Sequence, residues 1–460
     1  MSLLASWLRA GACGRPDACA LRAATGEWTY RELLVLAERG AACLRSADVA
    51  AGGIVGCAAG ALDLALAAVA CSAAGTALLP LDPLTAPGAW PRLQELAGGR
   101  LHCLRTRSGD WPLDRGAPAP AVGPDDPDDL ALVIASSGSE GEPKAVMLTA
   151  GNLAAAVAAS QQRLPLAAGD VWLGCLPLHH IGGISLLYRC LRAGATLLLH
   201  GSFSAPEIWR DLNEQAVSHI SLVPVMLARL LDVAGGRPPP ASLRHALIGG
   251  GALSRPLCER ALAAGWPIRP SWGLSESAAQ AATLLSPYEE WWPGLVGEPL
   301  PGLSARIAAD GRICLRGAQV MAGYLNPERR PGLGLIDGWL ITGDLGDIDA
   351  AGRLSIRGRA DDLLVSGGVN VHPAEVEDCL AACPGVRDVA VTAIADAEWG
   401  DSLLALVVGH ADIELLRDWS RRHLPASRRP RRFRCVEYLP RNGMGKLERA
   451  VLRRLAAEAA

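Results

Sequence analysis

The sequence predicts an α/β fold: a large N-terminal domain of mainly parallel sheets with flanking helices and a β-rich subdomain, then a small α+β C-terminal domain. Three observations carry this. Short apolar runs alternate with Ala/Leu-rich helical stretches through most of the chain; the texture changes after Ile307 to short strands and turns; and the polar stretch 358–362 precedes a second strand-and-helix unit. Repeated alternation builds parallel sheets covered by helices, because each parallel crossover needs a helix-sized connection.

Buried strands are expected at Ile54–Ala58, Ala77–Leu81, 131–135, 196–200, 219–223 and His245–Ile248. Helices are expected between them, at 60–74, Ala150–Arg163 and 224–233. The β-rich part follows with strands at 312–316, 340–344 and 354–357. A boundary near 360 divides the chain into domains 1–360 and 361–460. In the second, 373–382 reads as a helix with proline in its first turn, 386–395 and 403–408 as strands, and 413–424 as another helix. A hundred residues or so is an ordinary domain size.

Composition excludes several classes of function. Half of the 460 residues are hydrophobic and a fifth are charged, as in ordinary globular proteins with more than one core. A formal charge of −3 provides no basic field for nucleic acid. Arg428, Arg429, Arg431, Arg432 and Arg434 form one local basic cluster, which reads either as a solvated loop or as a holder of a phosphorylated ligand. The 13 cysteines are scattered and odd in number, with no Cys-x-x-Cys, so neither a zinc site nor a disulfide framework is indicated. They read as small apolar residues in a reducing compartment, hence a cytoplasmic protein. Residues 3–8 are too short for a signal peptide, and the apolar stretch 55–81 contains Asp63 and Pro80, so no membrane insertion is expected. Oligomeric state is not legible, and a homo-oligomer stays open.

Only two of the 44 basic residues are lysines, Lys144 and Lys446, and both sit in glycine-punctuated loops. Abundant Ala, Gly, Pro and Arg mark a GC-rich coding background, which converts lysine to arginine wherever any positive charge will do. A lysine that escapes this drift marks a place for a compact point charge rather than a planar fork. Lys144 closes Ser136-Ser137-Gly138-Ser139-Glu140-Gly141-Glu142-Pro143-Lys144, which follows a strand and precedes a helix. Small residues let successive backbone N–H groups converge on one anion, so this reads as a phosphate-cradling loop. The Walker pattern is absent.

That loop resembles the phosphate loop of the adenylate-forming superfamily, and the other motifs of the family follow in order. Leu176-Pro177-Leu178-His179-His180 resembles the segment ending in the acyl-pocket histidine; Gly249-Gly250-Gly251-Ala252 resembles the glycine turn beside adenine; and Trp272-Gly273-Leu274-Ser275-Glu276 resembles the aromatic-Gly-x-Thr-Glu motif. Thr342-Gly343-Asp344 resembles the ribose-binding motif, Gly358–Asp362 the hinge, and Ser366-Gly367-Gly368-Val369-Asn370 the loop beyond it. Pro440-Arg441-Asn442-Gly443-Met444-Gly445-Lys446 matches the last motif. Of the five asparagines, Asn326, Asn370 and Asn442 also fall in or beside these segments.

The resemblance implies an enzyme that uses ATP, Mg²⁺ and coenzyme A to turn a carboxylic acid into a thioester, with a mobile C-terminal domain. It implies catalytic roles for Lys446, His180 and Glu276, with Glu276 also holding the metal. Ser136, Ser137, Gly138, Ser139, Gly141 and Lys144 would face the pyrophosphate; Gly250, Gly251, Trp272, Gly273 and Ser275 the adenine side; and Asp344 and Arg359 the ribose. Asp361 would be the hinge, with Gly367 and Gly368 approaching the pantetheine arm. The residue types suit the chemistry. Attack of a carboxylate on the α-phosphate crowds anions together, so positive charge must meet the transition state. Four motif positions depart from the family pattern: Glu140 stands for threonine inside the phosphate loop, Trp272 for the commoner tyrosine, Ser275 for threonine, and His179 for the phenylalanine common before the pocket histidine.

The run 172–189, with His219-Ile220-Ser221-Leu222-Val223-Pro224, resembles the o-succinylbenzoate–CoA ligases of menaquinone biosynthesis. This acid carries two carboxylates, and a second one buried in the pocket needs a cation or several hydrogen bonds. His180, Arg189 and Ser221 are the substrate-binding candidates. Arg189 either grips that carboxylate or lies with Arg192 on a solvated helix face. Gln280 stands where a pocket threonine is common. Ligases for other aryl or medium-chain acids, adenylation enzymes that load a carrier protein, and non-catalytic relatives are the alternatives. No carrier-like Gly-x-Asp-Ser-Leu segment follows, which favours a free-standing enzyme.

Overall fold

A computed structural model describes residues 3–84, 89–104, 126–137, 143–286, 291–366, 369–396, 400–442 and 445–457. Two sheets of mainly parallel strands form the large lobe. In the eight-stranded one, Cys19–Ala23, Thr196–Leu199, Val171–Gly174, His219–Leu222, His245–Ile248 and Ile268–Trp272 run parallel, with antiparallel strands Gly26–Thr29 and Ala282–Thr283 at the edges. In the six-stranded one, Leu130–Ser137, Ala77–Leu81, Ile54–Ala58 and Leu101–Leu104 are parallel. A third sheet is antiparallel throughout and takes in the expected strands as Arg312–Gly317, Trp339–Ile348 and Leu354–Arg359.

Local sequence explains the helices. Thr29 and Glu32 form a reciprocal capping box that starts Tyr30–Ser46, and Thr149 with Asn152 does the same for Ala150–Arg163. Ala61–Ala74 is apolar on nearly all sides and is buried along most of its length, stopping at Gly75 in the left-handed conformation (φ 71°). Side-chain alternation then sorts the parallel sheet into two cores. Trp172 and Leu247 face one, whereas Leu173, Ile220, Leu222, Ala246 and Ile248 face the other.

The stretch 136–144 lies after a strand and ahead of helix Ala150–Arg163, as expected, but an unforeseen strand intervenes: Pro143–Thr149 is antiparallel to Leu130–Ser137, with Ser136 opposite Lys144. The two strands therefore pair as a hairpin. Alternating Ala145, Met147 and Val146, Leu148 are buried on the two faces, and that packing decides for strand.

The C-terminal sheet joins Val369–Val371, Leu364–Ser366, Gly400–Gly409 and Val386–Asp396 in antiparallel fashion, with Arg432–Cys435 added in parallel. Val389, Val391, Leu403, Ala405 and Val407 pack under the helices Pro373–Ala381 and Ile413–His423. The alternate residues Ala390, Leu404, Leu406 and Val408 pack under Arg449–Ala457. Among the described residues no helix is long and apolar enough to cross a membrane.

Candidate active site

The candidate residues gather at the carboxyl ends of the parallel strands, where open α/β sheets leave a crevice between diverging loops. His180 caps the start of helix Ile181–Ala193, beyond strand Val171–Gly174. Gly249–Gly251 follow strand His245–Ile248, and Gly273–Glu276 follow Ile268–Trp272. Gly250 has a positive φ (75°), and a side chain there would press on Val223 at 3.1 Å.

The Trp272-to-Glu276 segment is folded tightly on itself. A Cβ at Gly273 would overlap the Ala279 carbonyl oxygen, and Ala278 and Ala279 hold positive φ (54° and 93°) after the turn Ser275–Ser277. Such backbone is costly for alanine and persists only where its surroundings enforce it. Glu276 is fixed twice: its carbonyl accepts from the Met321 N–H (2.8 Å), and its Oε1 accepts from the Tyr324 hydroxyl (2.9 Å). The face of Tyr324 carries the Lys144 ammonium 5.6 Å from its centroid. Tyr324 was not singled out from sequence. The signal that could have found it is the drift argument again, since only 5 tyrosines survive in the chain.

Asp344 is a cross-strand partner of Arg359, which places the carboxylate and guanidinium side by side (3.6 Å). Gly343 makes room, because a Cβ there would stand 2.6 Å from Arg359 Nη2. The Thr342 hydroxyl accepts from the Asp344 N–H (3.1 Å), and the Trp272 indole N–H donates to Asp344 Oδ2 (2.9 Å). Trp272 is 9% exposed, so it is as much a tether for Asp344 as a ring surface. Arg359 also grips Asp361 through two bonds of 3.0 and 3.3 Å, linking the Asp344 carboxylate to the expected hinge.

Lys446 reaches this cleft from the small lobe. Its backbone N–H donates to Asn442 Oδ1 (3.0 Å), and Arg441 ties the turn to Asp388 (2.8 Å). At Gly445 (φ 70°) a Cβ would meet Val225 and Val223 at 2.8 and 2.9 Å, so the turn lies directly on the large lobe. Lys446 Cε stands 3.9 Å from the position a Gly250 Cβ would take. The residue as a whole is exposed, but burial of its ammonium end holds its pKa below the ordinary lysine value. Asp344 and Glu276 oppose that shift, and Arg359 adds to it. Burial pushes the His180 pKa down to about 4, helped by His179 (ring centroids 4.4 Å apart) and Lys446. His180 is therefore neutral at neutral pH.

Arg189 does not lie on a solvated face. It is 6% exposed with no hydrogen bond or ion pair to its guanidinium among the described residues, and it sits 5.3 Å above the Trp172 ring. Arg192 packs separately on Trp7. The Trp172 indole N–H donates to Ser221 Oγ (3.2 Å), so Arg189 and Ser221 share one neighbourhood. Gln280 is engaged elsewhere, accepting from Ser160 (2.9 Å) and donating to Thr283. Ser136 and Ser137 belong to the hairpin by their backbone. Gly138, Ser139, Glu140, Gly141, Gly367 and Gly368 lie outside the described residues.

Parallel-sheet crevices closed by a lysine-bearing small lobe define the class: nucleotide-dependent enzymes that bind AMP. The chain belongs to the AMP-binding enzyme family, which matches residues 8–325, with the AMP-binding enzyme C-terminal domain at 375–446. It is 36% identical over 343 residues to a 2-succinylbenzoate–CoA ligase of Bacillus mycoides, covering 72% of this chain and 71% of that one. Among solved structures it resembles o-succinylbenzoate CoA synthetase (MenE) of Bacillus subtilis in complex with the acyl-adenylate intermediate, at a TM-score of 0.87, 30% identity and 98% coverage of both chains. The same enzyme in complex with ATP and magnesium ion matches at 0.85 and 30%, covering 96% of this chain and 98% of that one.

Proposed function

We propose that the chain is an ATP-dependent, AMP-forming acid–CoA ligase that converts o-succinylbenzoate to o-succinylbenzoyl-CoA. The observation that carries the reaction is the Lys446 side chain, seated beside Gly250 in a cleft shared with Asp344, Arg359 and Glu276. The observation that carries the substrate is Arg189, a buried cation without an acidic partner among the described residues. A guanidinium fork in that state suits a carboxylate that the reaction leaves intact.

In the first half-reaction a carboxylate oxygen of the acid attacks the α-phosphorus of ATP, forming the acyl-adenylate and releasing pyrophosphate. Lys446 supplies positive charge where the two anions meet. Asp344, oriented by Thr342 and Trp272, accepts from the ribose hydroxyls with Arg359 beside it; Trp272 lies under the adenine; Lys144 and the phosphate loop meet the pyrophosphate. His180, neutral, lines the acyl pocket without competing for the reacting charge.

Glu276 suits Mg²⁺. Tyr324 occupies Oε1, no protein donor on Oε2 is found among the described residues, and no group of three or more His, Cys, Asp or Glu that could cage an ion occurs among them. A single carboxylate with phosphate and water oxygens is how this hard cation is usually held. When bound, the ion offsets phosphate charge. In the second half-reaction the CoA thiol, losing its proton, attacks the acyl carbon and expels AMP. The small lobe swivels at Asp361 between the two steps, separating domains 1–360 and 361–460 and bringing the 366–370 loop to the pantetheine arm. None of the 13 cysteines forms a disulfide, which suits a reducing compartment such as the cytoplasm.

The test is acid-dependent pyrophosphate release with o-succinylbenzoate, benzoate and octanoate. O-succinylbenzoate is expected to give the highest kcat/KM, and an equal response to octanoate would overturn the substrate assignment.

A further inference from the structure

We propose that Trp172 is the positioning residue of the second-carboxylate site: its ring face holds the Arg189 guanidinium, and its indole N–H turns the Ser221 hydroxyl into a committed donor. The inference rests on the dicarboxylate reading above and adds a residue that the sequence motifs do not single out.

Sheet register brings the parts together. Trp172 pairs directly with His219 on the neighbouring parallel strand. Ser221, two residues beyond His219, shares its face of the sheet. Helix Ile181–Ala193 packs over this region and brings Arg189 down on the Trp172 ring at 5.3 Å. The negative ring face partly compensates a cation held away from water and leaves its N–H fork unspent.

The edge of the ring has a second consequence. Indole N–H can only donate, whereas a serine hydroxyl has one proton to give and two lone pairs to receive. The 3.2 Å bond therefore runs from Trp172 to Ser221 Oγ. No acceptor for the Ser221 proton exists among the described residues, and Ser221 is 4% exposed. A buried hydroxyl in that state calls for an acceptor from the ligand. A carboxylate is one, and Arg189 lies on the same ring to meet it. The relay Trp172 N–H to Ser221 O–H to carboxylate has every donor matched.

Trp172 is itself immobilised. Its ring stacks on His219 (centroids 4.8 Å, 29°), whose Nδ1 bonds the Ser218 hydroxyl (2.8 Å), and His245 stands 4.9 Å from His219. Burial pushes the His219 pKa down to about 3, so the ring behind Trp172 stays neutral.

The measurement compares o-succinylbenzoate with benzoylpropionate, the same acid lacking its ring carboxylate. In Trp172→Phe, which keeps an aromatic ring and removes the N–H, the ratio of kcat/KM for the two acids should fall roughly tenfold, the size of the Ser221-to-carboxylate hydrogen bond that the N–H orients. The KM for ATP should hold, whereas a general collapse of the fold would raise it. Ser221→Ala should lose a similar ratio, and the double variant should be no worse than Ser221→Ala alone. Additive losses, or an unchanged ratio in Trp172→Phe, overturn the proposal. If Arg189→Ala leaves the preference for o-succinylbenzoate intact, the dicarboxylate reading fails instead. A lost preference there with additive Trp172 and Ser221 effects would leave that reading standing and sink only the role of Trp172.

Discussion

On the proposed reading a single lysine meets the reacting anions, and its surroundings make its charge pH-sensitive. Lys446 is pulled below its ordinary pKa by burial, with Asp344 and Glu276 restoring part of the shift. Because the charged form is the useful one, kcat/KM for ATP should fall on the alkaline side at a pH below the ordinary lysine value, since that parameter titrates the free enzyme. Lys446→Arg should remove that limb and cut adenylation, while thiolysis of supplied acyl-adenylate stays close to wild type. Equal loss in both half-reactions would remove Lys446 from the first step. Histidines act on stability. The pKa of His219 falls to about 3 and those of His180 and His245 to about 4, all through burial. In the unfolded chain each titrates near ~6.5, so between that pH and about 4 the unfolded state binds more protons and stability falls as pH falls. The urea midpoint should therefore drop from pH 7 to pH 5, and drop less in His219→Asn; an identical drop would deny His219 its share. At this scale the sequence was most legible. Coding drift exposed Lys144 and Lys446, but the mates of Trp172 and Tyr324 come from segments far away in the chain, and no local pattern encodes them.

Elements set these residues in place through backbone that tolerates little change. The Trp272-to-Glu276 turn has Gly273 pressed under the Ala279 carbonyl, with two alanines in left-handed conformation just beyond. Gly273→Ala must displace that carbonyl and shift Glu276 off Tyr324. A displacement of an ångström at a positioned group costs about a hundredfold in rate. The expected outcome is a loss of that order in pyrophosphate release, with the Mg²⁺ concentration for half-maximal activity raised. An active Gly273→Ala enzyme with unaltered Mg²⁺ response would contradict it. Elements also show where pattern reading stops. The strands Ile54–Ala58 and Ala77–Leu81 are continuous apolar runs and were plain. Pro143–Thr149 was missed, because an apolar run beginning with proline and meeting a capped helix looks like that helix's lead-in. Only pairing with Leu130–Ser137 makes it a strand, and pairing is a tertiary fact.

At the scale of the whole molecule, the two lobes touch through a helix terminus. Helix Arg255–Ala263 belongs to the large lobe, and its own Ser254 makes no side-chain cap. The open Arg255 N–H donates instead to Asp378 Oδ1 (2.9 Å), which sits on helix Pro373–Ala381 of the small lobe. A carboxylate there also suits the positive end of the helix dipole. Burial raises the Asp378 pKa, and the bond from Arg255 works against that shift. The bond spans the lobes with Lys446 in the cleft, and the swivel proposed above would break it, so on that reading it favours the arrangement for adenylation. An N-cap lost to alanine costs about 1 kcal/mol, roughly a fivefold change in an equilibrium. Asp378→Ala should accordingly slow acyl-adenylate formation several-fold in single-turnover measurements, and leave thiolysis of supplied acyl-adenylate unchanged or faster. A matching fall in both steps would mean that the contact holds the lobes together without favouring either arrangement. Asp378 lies in no motif, because its task is to meet a backbone N–H more than a hundred residues earlier in the chain.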